Sequence, residues 1–115
     1  MHQARQIDEV QQLTEISFAN ISPGAVGNGA TVGVSVAFTL GAPGSASPAT
    51  FALGDQLEIF PSAGAATNGV QVQAAPTATP GTAEVYFTNA TGGSITPVAS
   101  AKYTIVSTRI TNTLI

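Results

Sequence analysis

Thr31-Val32-Gly33-Val34-Ser35-Val36-Ala37-Phe38-Thr39-Leu40 is the stretch that decides the fold. Val32, Val34, Val36, Phe38 and Leu40 share one parity, and Thr31, Gly33, Ser35, Ala37 and Thr39 share the other. Strict period-two alternation with β-branched residues predicts a strand with one buried face, because successive side chains point to opposite sides of a pleated backbone. The same reading extends downstream to Leu57 and Ile59 against Glu58 and Phe60, to Val70, Val72 and Ala74, to Ala83, Val85 and Phe87, and to Ala101, Tyr103 and Ile105. Upstream, Thr14-Glu15-Ile16-Ser17-Phe18 reads as one more strand.

Between these runs stand Ser22-Pro23-Gly24, Gly27-Asn28-Gly29, Gly41-Ala42-Pro43-Gly44, Pro61-Ser62-Ala63-Gly64, Asn68-Gly69, Thr79-Pro80-Gly81 and Thr91-Gly92-Gly93. Gly and Asn accept positive φ and Pro presets the first turn position, so each cluster breaks a strand for a physical reason. Six or seven short strands at this spacing predict an all-β chain, a single antiparallel β-sandwich, jelly-roll or immunoglobulin-like. Ile7, Val10 and Leu13 are the only helical candidate, and three residues' spacing over so short a run does not sustain a helix in water. Residues 41–52 and 61–69 are expected as loops.

The 115 residues suffice for one domain with its own core. Only 8% are charged, and 39 consecutive residues from Ile16 to Gly54 carry no formal charge. A net charge of -3, with three basic side chains, argues against a protein that neutralises nucleic-acid phosphates. There is no Cys for disulfides or thiolate metal sites, and no apolar run of membrane-spanning length. The first residues lack the apolar stretch of a signal peptide, and no membrane partner is expected. Four of the nine charges fall in the first fifteen residues, which are rich in Gln and free of Gly and Pro. That shift predicts an N-terminal arm over 1–12 and a β-sandwich domain over 13–115. The apolar Ile7, Val10 and Leu13 are the arm's candidate partner-binding residues.

Catalysis requires convergent groups with tuned acidity, and the sequence offers few. The single His is His2, inside the arm. Asp55 and Glu58 flank a strand start, where charges that discourage edge-to-edge pairing are a better account than a carboxylate pair. Neither makes a calcium cluster, and no Gly-rich segment opens a helix to hold phosphate. Asn20-Ile21-Ser22 and Asn89-Ala90-Thr91 match the N-glycosylation pattern. Lys102, the only lysine, could form an isopeptide bond with Glu84 as catalyst only if buried with it; an exposed strand Lys is the plainer reading. No enzyme activity, cofactor or metal is expected. A surface of Thr, Ser, Gln, Ala and Gly costs little to desolvate and suits a component of a dense assembly.

Phe51-Ala-Leu-Gly-Asp-Gln-Leu-Glu-Ile59, Val70-Gln-Val-Gln-Ala74, Ala83-Glu-Val-Tyr-Phe-Thr-Asn-Ala-Thr-Gly-Gly-Ser-Ile95 and Ala101-Lys-Tyr-Thr-Ile-Val106 together resemble small β-sandwich proteins of tailed bacteriophages, the capsid decoration (cement) proteins. The shared features are Leu-Gly-Asp before a strand, a strand ending Phe-Thr-Asn, an Asn-x-Thr-Gly-Gly turn and a closing Tyr-Thr-Ile-Val strand, over residues 30 to 106. The resemblance implies a virion protein on the outer capsid surface that ties neighbouring major capsid subunits together and has no catalytic residues. Shell symmetry favours a homo-trimer over a dimer. The alternative is a tail, fibre or carbohydrate-binding β domain used in host recognition, for which Tyr86, on the face opposite Val85 and Phe87, could be exposed.

Overall fold

The computed structural model describes residues 9–41, 47–65 and 69–113, with side chains described between 12 and 110. Seven strands are present among them: β1 (Glu9–Ile21), β2 (Thr31–Ala37), β3 (Thr39–Leu40), β4 (Gln56–Pro61), β5 (Val70–Pro76), β6 (Thr82–Asn89) and β7 (Ala101–Thr113). A single 3-10 turn spans Ala63–Ala65. The strands form two antiparallel sheets, β3-β1-β7-β4 and β2-β6-β5, packed as a sandwich. In the constant-type immunoglobulin arrangement the first two strands are neighbours. Here the first strand pairs with the last, and the second lies in the other sheet.

The run 31–40 does not remain in one sheet. β2 pairs with β6, and at Phe38 the chain leaves that ladder: the Phe38 amide donates to Gly81 O (2.9 Å) and its carbonyl accepts from Ala49 N (3.0 Å). Thr39 and Leu40 then pair with Phe18 and Ser17 of the opposite sheet. Alternation continues unbroken through this corner because the inward side of one layer is the inward side of the other. Val32, Val34, Val36 and Leu40 stay half-buried and Phe38 is buried.

Val85 and Phe87 from β6 and Tyr103 and Ile105 from β7 fill the space between the layers, with Ile21, Val26, Phe38 and Phe51 closing it. Phe87 meets Tyr103 edge-on at 5.7 Å between centroids, and Phe38 meets Phe51 likewise at 6.0 Å. Such edge-to-face pairs add to the stabilisation from burial. Residues 47–53 close one end of the core. At Gly81 (φ 78°) any side chain would collide with the Ala49 carbonyl oxygen, while its amide donates to Phe51 O at 2.8 Å.

β1 and β7 pair along their whole length, from Glu9 opposite Thr113 to Ile21 opposite Ala101. The arm boundary expected at residue 12 therefore falls inside a strand. Val10 and Leu13, read with Ile7 as a short helical candidate, are strand residues, and residues 14–21 lie in the four-stranded sheet. β4 borders β7 only over 103–108, and β3 borders β1 only at Ser17 and Phe18. Five residue pairs, Glu9–Leu13 with Arg109–Thr113, thus form a two-stranded ribbon about 17 Å long beyond the rest of the four-stranded sheet.

Candidate interaction surface

The parity of β1 decides which side chains reach solvent. Ser17 points into the core with its hydroxyl buried and unpartnered, so Ile16 and Phe18 face outward. Register places Ile16 beside Val106 and Glu58, and Phe18 beside Thr104 and Phe60. Ile16 is 51% exposed and Phe60 50%. The Phe18 ring lies across Gly41, which leaves no room for a side chain there, and Lys102 Nζ sits 4.2 Å over the ring's centre. Ile16, Phe18, Val106 and Phe60, from three strands, thus form an apolar patch on the otherwise polar outer face of β3-β1-β7-β4.

The other layer is different. Its outward positions are Thr31, Gly33, Ser35, Glu84, Tyr86, Thr88, Gln71 and Gln73, and Thr31 Oγ1 and Thr88 Oγ1 lie 2.9 Å apart. Polar side chains dominate this face, with Tyr86 as its exposed aromatic, whereas the opposite face carries the Ile16–Phe18–Val106–Phe60 patch. Tyr86 is exposed, as its parity predicts.

Where the ribbon leaves the sandwich, a polar lock fastens the 47–55 loop. Arg109 donates to both oxygens of Asp55 (Nε at 2.9 Å, Nη2 at 2.8 Å) and to Thr50 O (3.1 Å). Asp55 also accepts from Ala52 N (2.9 Å), and Glu15 accepts from Thr50 N (2.9 Å) and Thr50 Oγ1 (2.6 Å). The Asp55 side chain is 5% exposed. Hydrogen bonding from Arg109, outweighing the opposing effect of burial, holds its carboxyl below the usual carboxylate range. Asp55 is therefore a structural anion rather than the strand-edge charge expected, whereas Glu58 is the exposed edge charge. A cavity of about 190 Å³ beside the lock is lined by Leu13, Glu15, Phe51, Asp55, Ser107 and Arg109. Both of its carboxylates accept hydrogen bonds, Glu15 from Thr50 and Asp55 from Arg109 and Ala52.

A second cavity, about 260 Å³, lies between the layers against Pro61, Ala65, Val70, Val72, Phe87 and Tyr103. Burial pushes the Tyr103 phenol up. Among the described residues no three His, Cys, Asp or Glu side chains come together to hold a metal ion.

The two glycosylation patterns have different fates. Asn89 is fully buried: its amide donates to Val26 O (2.8 Å) and Gly93 O (2.7 Å), and its oxygen accepts from Thr91 N (2.9 Å) and Thr91 Oγ1 (2.7 Å). It clamps the Asn-x-Thr-Gly-Gly turn and is closed to modification. Asn20 is exposed and donates to Ser100 O at 2.9 Å. Lys102 is exposed on one layer and Glu84 lies on the outer face of the other, so the burial that an isopeptide pair needs is lacking.

Of the arm residues, Ile7 lies outside the described residues, as does His2. Val10 stands in β1 opposite Asn112, and Leu13 opposite Arg109. Leu13 is 56% exposed on the ribbon's inward-facing side and Ile110 66% exposed on the other. The sequence places Phe60 and Val106 in strands without marking them as surface contacts, and gives no sign of Ile110 as one. A Thr-rich run from Thr104 to Thr113 with high β propensity was the available sign of the longer β7. Comparison with protein-family models, curated proteins and solved structures finds no match to this chain.

Proposed function

We propose that the chain is a structural virion protein that binds the outer surface of a tailed-phage capsid and stabilises the shell by bridging neighbouring major capsid subunits. The projecting β1/β7 ribbon, with Leu13 and Ile110 exposed on its two sides, is the observation that carries this reading. A two-stranded ribbon that runs past the flanking strands β3 and β4 gains little stability from the sheet. Laid against a neighbouring subunit, it buries whichever of Leu13 and Ile110 faces that subunit and reaches beyond the footprint of the sandwich. Its partners are the major capsid protein and further copies of itself, and no catalytic step is involved. Binding only the assembled shell shifts the assembly equilibrium by mass action, and many equivalent sites add avidity.

Deleting residues 1–12 removes one strand of the ribbon and leaves the β3, β4 and inter-sheet contacts in place. The truncated protein is expected to stay folded and soluble, to bind capsids lacking the protein more weakly, and to protect them less against heat. Equal binding by the truncated and full-length chains would remove the ribbon from the mechanism.

A second reading, a tail, fibre or carbohydrate-binding domain, has one observation in its favour: Tyr86, exposed beside Gly33 and Gln73 on the polar face. Binding of the isolated protein to a glycan array, lost in Tyr86→Ala, would favour it.

A further inference from the structure

The cavity between the layers lies where β4 and β5, the outermost strands of their sheets, come together. Its walls include Pro61 of β4, Ala65 of the 3-10 turn, Val70 and Val72 of β5, and the Phe87 and Tyr103 rings. Ala65, Phe87 and Tyr103 are buried, the two valines are half-buried and Pro61 is exposed, so the cavity opens along the β4–β5 edge. The wall at 61–65 is held in place by its backbone: Ser62 N donates to Lys102 O (3.0 Å) and Ala65 N to Ser62 O (2.8 Å).

Of the side chains that line the cavity, Tyr103 alone carries a polar atom. Tyr103 is 1% exposed, with its ring edge-on to Phe87, and its hydroxyl has no hydrogen-bond partner among the described residues. Buried tyrosine hydroxyls ordinarily find a partner. This one is not sealed in as Ser17 Oγ is, because it fronts the cavity. Water is a poor partner there: a buried water ordinarily makes about three hydrogen bonds, and the lining side chains offer one. Burial pushes the phenol up, so it stays a neutral donor at physiological pH.

We propose that this cavity binds a small, neutral aromatic ketone or ester, whose ring packs against Phe87 and the two valines and whose carbonyl oxygen accepts from Tyr103 Oη. The space suffices. An apolar cavity of about 150 Å³ takes benzene, and this one measures about 260 Å³, which leaves room for a short acyl substituent. The free hydroxyl selects a ligand with an acceptor. No lining side chain is charged, so a carboxylate or an ammonium group entering the cavity loses its hydration without gaining a counter-charge. The site belongs to the isolated chain and does not rest on capsid attachment, so the failure of one leaves the other standing.

Titration of the full-length, isotope-labelled chain with acetophenone, followed through its amide chemical shifts, tests this. Saturable shifts centred on Ala65, Val70, Val72, Phe87 and Tyr103 are expected, with a dissociation constant on the order of 1 mM for so small a ligand. Tyr103→Phe keeps the ring and the contact with Phe87, and the hydroxyl it removes has no partner in the fold to lose. It is expected to weaken acetophenone about fivefold, the worth of one neutral hydrogen bond, and to change the binding of benzene, which has no acceptor, by less than about twofold. Val72→Phe, which fills the cavity from β5, is expected to abolish saturable binding of both. Shifts that grow linearly without saturating, shifts centred instead on the exposed Ile16–Phe60 patch, saturable binding that survives in Val72→Phe, or a Tyr103→Phe variant in which the two ligands change alike would overturn the proposal.

Discussion

Asn89 offers the sharpest check on how the turn after β6 is built. It makes four hydrogen bonds of 2.7 to 2.9 Å with no exposure to solvent. At about 1 kcal/mol net for each bond, Asn89→Ala is expected to lose about 3–4 kcal/mol, since the Thr91 amide and hydroxyl lose their shared acceptor together. Val26 O keeps its bond from Ile95 N at 3.0 Å, which holds the loss near the lower figure. Asn89→Asp separates geometry from charge. Its shape is nearly unchanged and it still accepts from Thr91, but a carboxylate then faces the carbonyl oxygens of Val26 and Gly93. The ionised form is disfavoured in the fold, so the folded-state pKa is raised above the unfolded value. The variant's deficit is accordingly smallest where the acid form dominates in both states and grows as pH rises. Urea unfolding at neutral and mildly acidic pH reads both effects. An Ala variant within 1 kcal/mol of the parent (roughly the worth of a single bond), or an Asp variant with a pH-independent deficit, would refute the assigned clamp.

Three further outcomes follow from named contacts. Gly81→Ala is expected to cost at least about 2 kcal/mol in chemical denaturation, because a Cβ at φ 78° meets the Ala49 carbonyl oxygen; a neutral effect would mean that the 47–53 loop can move aside. Ser17→Ala is expected to leave stability unchanged or raise it by about 1 kcal/mol, since the buried hydroxyl has no partner, and a clear loss would reveal one. Asp55→Asn is expected to lower the melting temperature at neutral pH. The Asp55 pKa is depressed in the fold, so its contribution is complete above the unfolded value of about 4 and is lost as pH falls through the folded value. The gap between parent and variant should therefore close in acid, and a gap that persists there would reject the charge-based lock.

The strands that enclose the core were legible because burial on one side imprints period two on the sequence: 31–40, 70–74, 83–87 and 101–105 all show it. The ribbon was not, because Glu9–Leu13 and Arg109–Thr113 pair with each other past the ends of β3 and β4, and their sequences carry no apolar alternation to reveal their length. The apolar outer face was hidden for a different reason. In β1 the polar residue, Ser17, is inside and the large apolar residues, Ile16 and Phe18, are outside, so alternation by itself points the wrong way. Only the register with β7 and β4, which joins Ile16, Val106, Phe18 and Phe60, exposes the patch as one surface. Asn89 and Asp55 show the limit of local motifs. One matched a modification pattern and the other a strand-edge charge, and their partners Val26 and Arg109 are 63 and 54 residues away.

A reconstruction of the particle at subnanometre resolution addresses the central claim most directly. The account predicts a two-layer sandwich outside the continuous shell, with a two-stranded ribbon extending from it across the boundary between adjacent major capsid subunits. Density for the sandwich confined to the tail or fibres, or a shell whose outer surface carries no such density, would contradict it.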